Sequence, residues 1–178
     1  MLIDLSEILD ALPTKTVVGR PDADFSTIVH DSRSVTPGDI FVALIEPSGR
    51  DGHLYISDAI ARGASVVIQE KGEALKGVTT VTVPDTSIAL GQMAAAYHGN
   101  PADDLKLIGV TGTNGKTTVS LLVEAILREC GCAVGGLGTL GSRFMGETLD
   151  WKLGHTTPYP MELHRTMAKI KEQGGQYA

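Results

Sequence analysis

The chain has 178 residues, 15 basic and 21 acidic, for a net charge of −6; 42 % are apolar and only 4 % aromatic. That length holds one large domain or two small ones, and the apolar share is enough to bury a core. An acidic chain with few aromatics argues against a nucleic-acid binder, which needs a basic face and often stacking rings. Two cysteines, Cys130 and Cys132, are too few for a disulfide framework or a closed zinc site. The N-terminus carries no basic, apolar leader, and no run approaches the ~20 apolar residues of a membrane span. The expectation is a soluble, cytoplasmic protein with neither a membrane nor a nucleic-acid partner.

Asp4 and Glu7 form a capping-box pattern ahead of Leu5, Ile8, Leu9 and Leu12, which repeat at helical spacing. Short β-rich runs follow at 16–18, 27–30 and 40–45, broken by Arg20-Pro21-Asp22 and Thr36-Pro37-Gly38-Asp39. A helix is predicted over 55–62, stopped by Gly63, then strands at 64–69 and 79–83 and a helix over 86–98. Gly99-Asn100-Pro101 ends that helix and marks a domain boundary, with one domain over 1–99 and a second over 100–178. The second domain starts with the apolar run 105–110, of the kind buried on both faces of a parallel sheet. A helix from 116 to about 130 places Val119, Leu122, Val123 and Ile126 on one face, and Gly131 stops it. A strand at 133–137, a glycine-punctuated stretch, a polar loop ending Thr156-Thr157-Pro158 and a helix over 160–173 follow, and Gln176-Tyr177-Ala178 reads as the start of another strand. The fold class expected is α/β: a small N-terminal α/β domain, then the opening of a P-loop-type α/β domain with a parallel sheet.

The sharpest local signal is Gly109-Val110-Thr111-Gly112-Thr113-Asn114-Gly115-Lys116-Thr117-Thr118, set between a strand and a helix. Glycine frees successive backbone N–H groups to wrap a phosphate at a helix N-terminus, where the helix dipole favours negative charge. Lys116 is placed to reach β- and γ-phosphates, and the Thr117 hydroxyl to bind the Mg²⁺ that accompanies them. A strict G-x-x-x-x-G-K-[ST] motif would need glycine at 110, where this chain has Val110. ATP is the ligand this loop points to, a loop that serves many reaction classes.

With that glycine spacing, the segment from Gly112 to Thr118 resembles the ATP loop of the Mur ligases, which build the peptide of bacterial cell-wall precursors. Asp31-Ser32-Arg33, then Pro37-Gly38-Asp39-Ile40-Phe41-Val42-Ala43-Leu44 and Asp51-Gly52-His53, resemble the UDP-binding domain of the branches that add the third residue and the terminal dipeptide. Gly138-Thr139-Leu140-Gly141, Thr156-Thr157-Pro158 and Glu162-Leu163-His164 are similar to the third-residue branch. The resemblance implies an ATP-dependent amide ligase with Mg²⁺. Its small-molecule substrates would be UDP-MurNAc-L-Ala-D-Glu and a diamino acid, meso-diaminopimelate or L-lysine, joined through an acyl phosphate. Residues 1–99 would be the UDP-substrate domain and 100–178 an incomplete ATP-binding domain. Carried over by position, Gly112, Thr113, Asn114, Gly115, Lys116, Thr117 and Thr118 bind ATP, with Lys116 catalytic and Thr117 on the metal. His30 and Ser32 line the uridine nucleotide pocket, and Thr156 and Thr157 contact the muramyl-peptide.

This chain departs from the pattern in the loop Ile45-Glu46-Pro47-Ser48-Gly49-Arg50, one residue longer than usual, and at Tyr159, where an acidic residue commonly stands. It stops before the family's acidic metal motif, carbamylated lysine and C-terminal domain, so 178 residues alone are expected to be inactive and the complete protein a monomer. Taken singly, Asp31-Ser32-Arg33 also reads as a turn with a surface ion pair, and Thr156-Thr157-Pro158 as a loop entering a Pro-started helix. His53, His98 and His164 read as packed or surface imidazoles, and the two cysteines as inert thiols. The competing functions are a ligase adding D-Ala-D-Ala in the next step and a non-catalytic nucleotide-binding module.

Overall fold

Asp4 opens the first helix by accepting the Ser6 amide on its side chain, and α1 (Leu5–Asp10) buries Leu5, Ile8 and Leu9. The computed structural model describes residues 4–22, 24–46, 48–150 and 158–178. The chain divides into two units, Met1–Tyr97 and His98–Ala178.

The first unit is built on a five-stranded sheet in the order β1-β5-β4-β3-β2, formed by β1 (Thr16–Val18), β2 (Ile28–Val29), β3 (Ile40–Val42), β4 (Val66–Gln69) and β5 (Thr79–Thr82). Strands β2 to β5 run parallel, and β1 joins the edge antiparallel to β5. Ile40, Phe41 and Val42 are all fully buried, as are Val66, Val67 and Ile68, so neither strand shows an alternating pattern. Both faces of such strands are covered, the pattern of a parallel sheet with helices on its two sides. Helix α2 (Ile56–Ala61), entered through a 3-10 turn at Gly52–Tyr55, belongs to a cluster of Val35, Phe41, Ala43, Ala59, Ala64 and Val67. Helix α3 (Thr86–Tyr97) packs against α1 and buries Ala89, Leu90, Met93 and Ala94. Gly63 ends the α2 connection with φ +103°, and a Cβ there would come within 2.9 Å of the Pro37 backbone. Only glycine permits both that conformation and that approach.

In the second unit, α4 (Lys116–Glu129) and α5 (Pro160–Glu172) flank β6 (Gly135–Gly138), which continues into β7 (Gly141–Phe144) and β8 (Glu147–Asp150) as an antiparallel sheet. The glycine-punctuated stretch, to which the sequence reading assigns no element, therefore contains two strands. Met145 and Gly146, at φ +52° and +88°, join Phe144 to Glu147 as a two-residue hairpin, the turn whose twist matches its flanking strands.

The parallel part of this unit is narrow. Tyr177 bridges Lys106 on one side and Val134 on the other. Lys106 N–H donates to Gln176 O at 2.9 Å and Ile108 N–H to Ala178 O at 2.8 Å. The run 105–110, expected as a strand buried on both faces, is thus paired along a few residues without forming a regular strand. Leu107 and Ile108 are 53 % and 44 % exposed. A strand is buried on both faces only when layers cover it, and these side chains lack such a cover among the described residues. The same correction applies to α4: Val119, Leu122 and Ile126 are exposed, and Glu124 is its one buried residue.

Candidate functional site

The phosphate-loop candidate lies where 105–110 hands over to α4. Gly112 and Gly115 take φ +147° and +77°, and Gly115 caps the helix without a side-chain bond to its first-turn amides. Residues 111–115 are exposed, and the first-turn amides lie at the positive end of a 14-residue helix. Lys116 Nζ folds back to donate to Gly112 O at 2.6 Å and Thr113 O at 3.5 Å, spanning the loop it belongs to. Gly112, Thr113, Asn114, Gly115, Lys116, Thr117 and Thr118 are thus brought together.

Lys116 and Thr117 line a cavity of about 510 Å³. The helix face turned to it carries Lys116, Ser120, Val123, Glu124 and Leu127, at offsets 0, 4, 7, 8 and 11. Of the face predicted to pack inward, Val119, Leu122, Val123 and Ile126, it includes only Val123. Opposite stand Gly135 to Leu140 of β6 and its turn, Arg143 of β7, and His164 of α5. Glu124 and Arg143 pair at 2.9 Å with side chains 6 % and 13 % exposed. No motif flagged this pair; its one trace in the sequence is a carboxylate at cavity-facing helical spacing from Lys116 and Ser120.

Burial pushes the His164 imidazole below its usual range, and burial, with His164 and Arg165 nearby, does the same to His98 against an opposing hydrogen bond to the Met161 backbone. Glu162 Oε2 and His164 Nδ1 are buried without a hydrogen-bond partner among the described residues. Thr156 and Thr157 lie outside the described residues. No group of three or more His, Cys, Asp or Glu could hold a metal among the described residues, and no helix there is long and apolar enough to cross a membrane. Cys130 and Cys132 are free.

In the first unit, His30 is half-buried just past β2, and Ser32 is 3 % exposed in a 3-10 turn. Asp31 caps that turn, and the Arg33 guanidinium beside it draws its carboxyl down to about 2. The Ser32 hydroxyl bonds to Asp58 of α2, lowering that carboxyl. Arg50, at the end of the lengthened loop, lies 5.2 Å over the Tyr55 ring. His53 packs inward: its Nδ1 faces Asp51 Oδ1 at 2.7 Å, and Lys71 Nζ holds the other Asp51 oxygen at 2.7 Å. Lys71 first, then His53, keep the Asp51 carboxyl well below the usual carboxylate range.

Residues 110–178 match the family model of the Mur ligase middle domain. The chain is 38 % identical over 178 residues to a UDP-N-acetylmuramoyl-L-alanyl-D-glutamate--2,6-diaminopimelate ligase of Parabacteroides distasonis, a match covering 99 % of this chain and 36 % of the relative. A ligase of the same name from Clostridium tetani is 38 % identical over 177 residues, with 97 % and 36 % covered. A solved structure of a ligase with that name superposes with a TM-score of 0.76 at 26 % identity, covering all of this chain and 35 % of the other. A D-alanyl-D-alanyl ligase structure from Acinetobacter baumannii shares the fold, with a TM-score of 0.61 at 24 % identity over 98 % of this chain and 35 % of the other. The chain spans about a third of the length of the curated relatives it matches.

Proposed function

We propose that the chain belongs to the Mur ligase family and is part of an ATP-dependent ligase that joins 2,6-diaminopimelate to UDP-MurNAc-L-Ala-D-Glu. The observation that carries the reading is the exposed loop 109–116, with left-handed glycines at an uncapped helix N-terminus beside a cavity that Lys116 and Thr117 line. First-turn amides without a side-chain cap and a cation held at the loop's own carbonyls are what a polyphosphate needs. The names of the curated relatives support diaminopimelate as the amine.

In this reading the first-turn amides of α4 and Lys116 hold the β- and γ-phosphates of ATP. They counter the charge that builds as a phosphoryl group passes to the D-glutamate side-chain carboxylate. A carboxylate is a poor electrophile, and the acyl phosphate so formed gives the incoming amine a leaving group to displace. The donor set fits Mg²⁺ bound by one protein hydroxyl, since Glu124 is taken by Arg143 and Mg²⁺ keeps phosphate and water ligands. Thr117 would hold it, and the ion would neutralise phosphate oxygens. His30 and Ser32 would line the uridine site of the first unit. Thr156 and Thr157 would meet the muramyl-peptide.

Calorimetry of the 178-residue chain tests the reading, with ATP plus Mg²⁺ and separately with UDP. We expect heat from both, and Lys116→Ala should weaken ATP binding at least about tenfold while leaving UDP binding and melting unchanged. A folded chain that takes up neither nucleotide would overturn it.

A further inference from the structure

The cavity beside the phosphate loop holds a charged pair that the chemistry above does not use. Nε and Nη2 of Arg143 both donate to the same oxygen of Glu124, Oε2, at 3.2 and 2.9 Å. Gly136 of β6 lies against them: a Cβ there would come within 2.7 Å of both Arg143 Nη2 and Glu124 Oε2. Three elements, α4, β6 and β7, therefore meet at one point, and a side chain on the middle one would push the pair apart. Glu124 stands eight residues after Lys116 on one helix, ~12 Å along its axis at ~1.5 Å per residue.

A buried ion pair is a poor source of stability, because desolvating two charges offsets most of their attraction. What it supplies is direction. A carboxylate at 6 % exposure must find its guanidinium, so α4 can settle at only one rotation about its axis. The rest of the helix gives little help, since Val119, Leu122 and Ile126 are exposed and cannot fix that rotation by packing. The rotation matters because the first-turn amides, Lys116 and Thr117 turn with it.

We propose that Glu124 and Arg143 are positioning residues that set the rotation of α4 against the β6–β7 hairpin, and with it the aim of the phosphate-holding amides and Lys116, Gly136 leaving the space the pair requires. This rests on reading loop 109–116 as a phosphate site. The pair does not touch the nucleotide; it acts through the helix.

The test uses the 178-residue chain and measures ATP affinity with Mg²⁺ by calorimetry alongside thermal melting. The double variant Glu124→Met/Arg143→Met replaces the ion pair with apolar side chains. It should melt within a few degrees of the parent or above it, yet bind ATP about tenfold more weakly, because misaimed groups lose contact even when the fold is sound. Arg143→Lys keeps the charge but cannot donate twice to Oε2; it should lose affinity several-fold with melting unchanged. If the double variant folds and binds ATP as tightly as the parent, the pair is merely structural and the proposal fails. If the double variant does not melt cooperatively, unchanged affinity in Arg143→Lys overturns the proposal equally. A parent chain that takes up no ATP would instead overturn the phosphate-loop reading, and the positioning role with it.

Discussion

The backbone N–H of Glu70 donates to Nε2 of His53 at 3.0 Å, and this bond decides which ring nitrogen carries the proton. With Nε2 accepting, the proton sits on Nδ1, toward Asp51 Oδ1. The imidazole thereby ties the turn at Gly52–Tyr55 to the end of β4. Replacing it with Phe keeps the bulk and strands the Glu70 amide. We expect a loss of about 1 kcal/mol from one unsatisfied, part-buried donor, read as a lower urea midpoint with an unchanged slope. A midpoint equal to the parent's would show that water replaces the bond at no cost.

Asp31 ionises more easily in the folded chain, at about 2, than unfolded, with Arg33 the main cause. Its stabilising contribution is therefore complete above the ordinary carboxylate range and lost as pH falls through about 2. Arg33 is largely exposed, so solvent screens the pair and the effect is modest. Asp31→Asn should lower stability modestly at pH 7 and flatten the profile below about pH 4, so that variant and parent converge as pH falls toward 2, as acid titration followed by circular dichroism would record. A profile overlying the parent's at every pH would contradict the assigned shift.

His98 and His164 shift in the same downward sense, driven by burial. Folding prefers them neutral, so the second unit should be fully stable above about pH 6.5 and lose stability as pH falls from there through their folded values. His164→Leu should remove part of that slope, since it deletes one buried base and the positive charge it would bring near His98. Melting curves from pH 7.5 to 5 would decide; identical slopes in variant and parent would refute it.

Leu122 and Ile126 are 58 % and 62 % exposed, despite apolar spacing that reads as a buried stripe. In the 178-residue chain, Leu122→Ser and Ile126→Ser should each change stability by less than about 0.5 kcal/mol. Denaturant unfolding of each variant checks this, and a loss of ~2 kcal/mol or more would mean the stripe packs inward after all.

What the sequence made legible follows from how local each signal is. Apolar residues at 40–42 and 66–68 announced strands, because that pattern needs no distant information, whereas burial on both faces, expected of 105–110, depends on covering layers that no local pattern shows. The loop from Gly109 to Thr118 was legible for the same reason, its glycines lying at fixed offsets before Lys116. Strands β7 and β8 were not. Ser142, Arg143 and Thr148 carry little hydrophobic alternation, and Gly141 and Gly146 look like loop punctuation until a hairpin places them at turns. Glu124 and Arg143 sit 19 residues apart on different elements, so nothing local links them. The inward face of α4 was misread because apolar spacing shows which stripe could be buried, whereas the neighbours present choose which one is.

Tyr177 stands between Lys106 and Val134, bridging both in parallel. A chain leaving the ribosome makes the two outer segments first and their shared middle partner last, 71 residues after one and 43 after the other. Until that partner emerges, the backbone groups on the inner edges of both segments have only water to pair with, and Leu107 and Ile108 stay beside an open edge. Long-range pairing of this kind is slow, since the loops must close before any ladder bond can offset their entropy. During synthesis the first unit can therefore be complete while the second still waits, and that interval is when the nascent chain is most open to capture by a chaperone or by another unpaired edge.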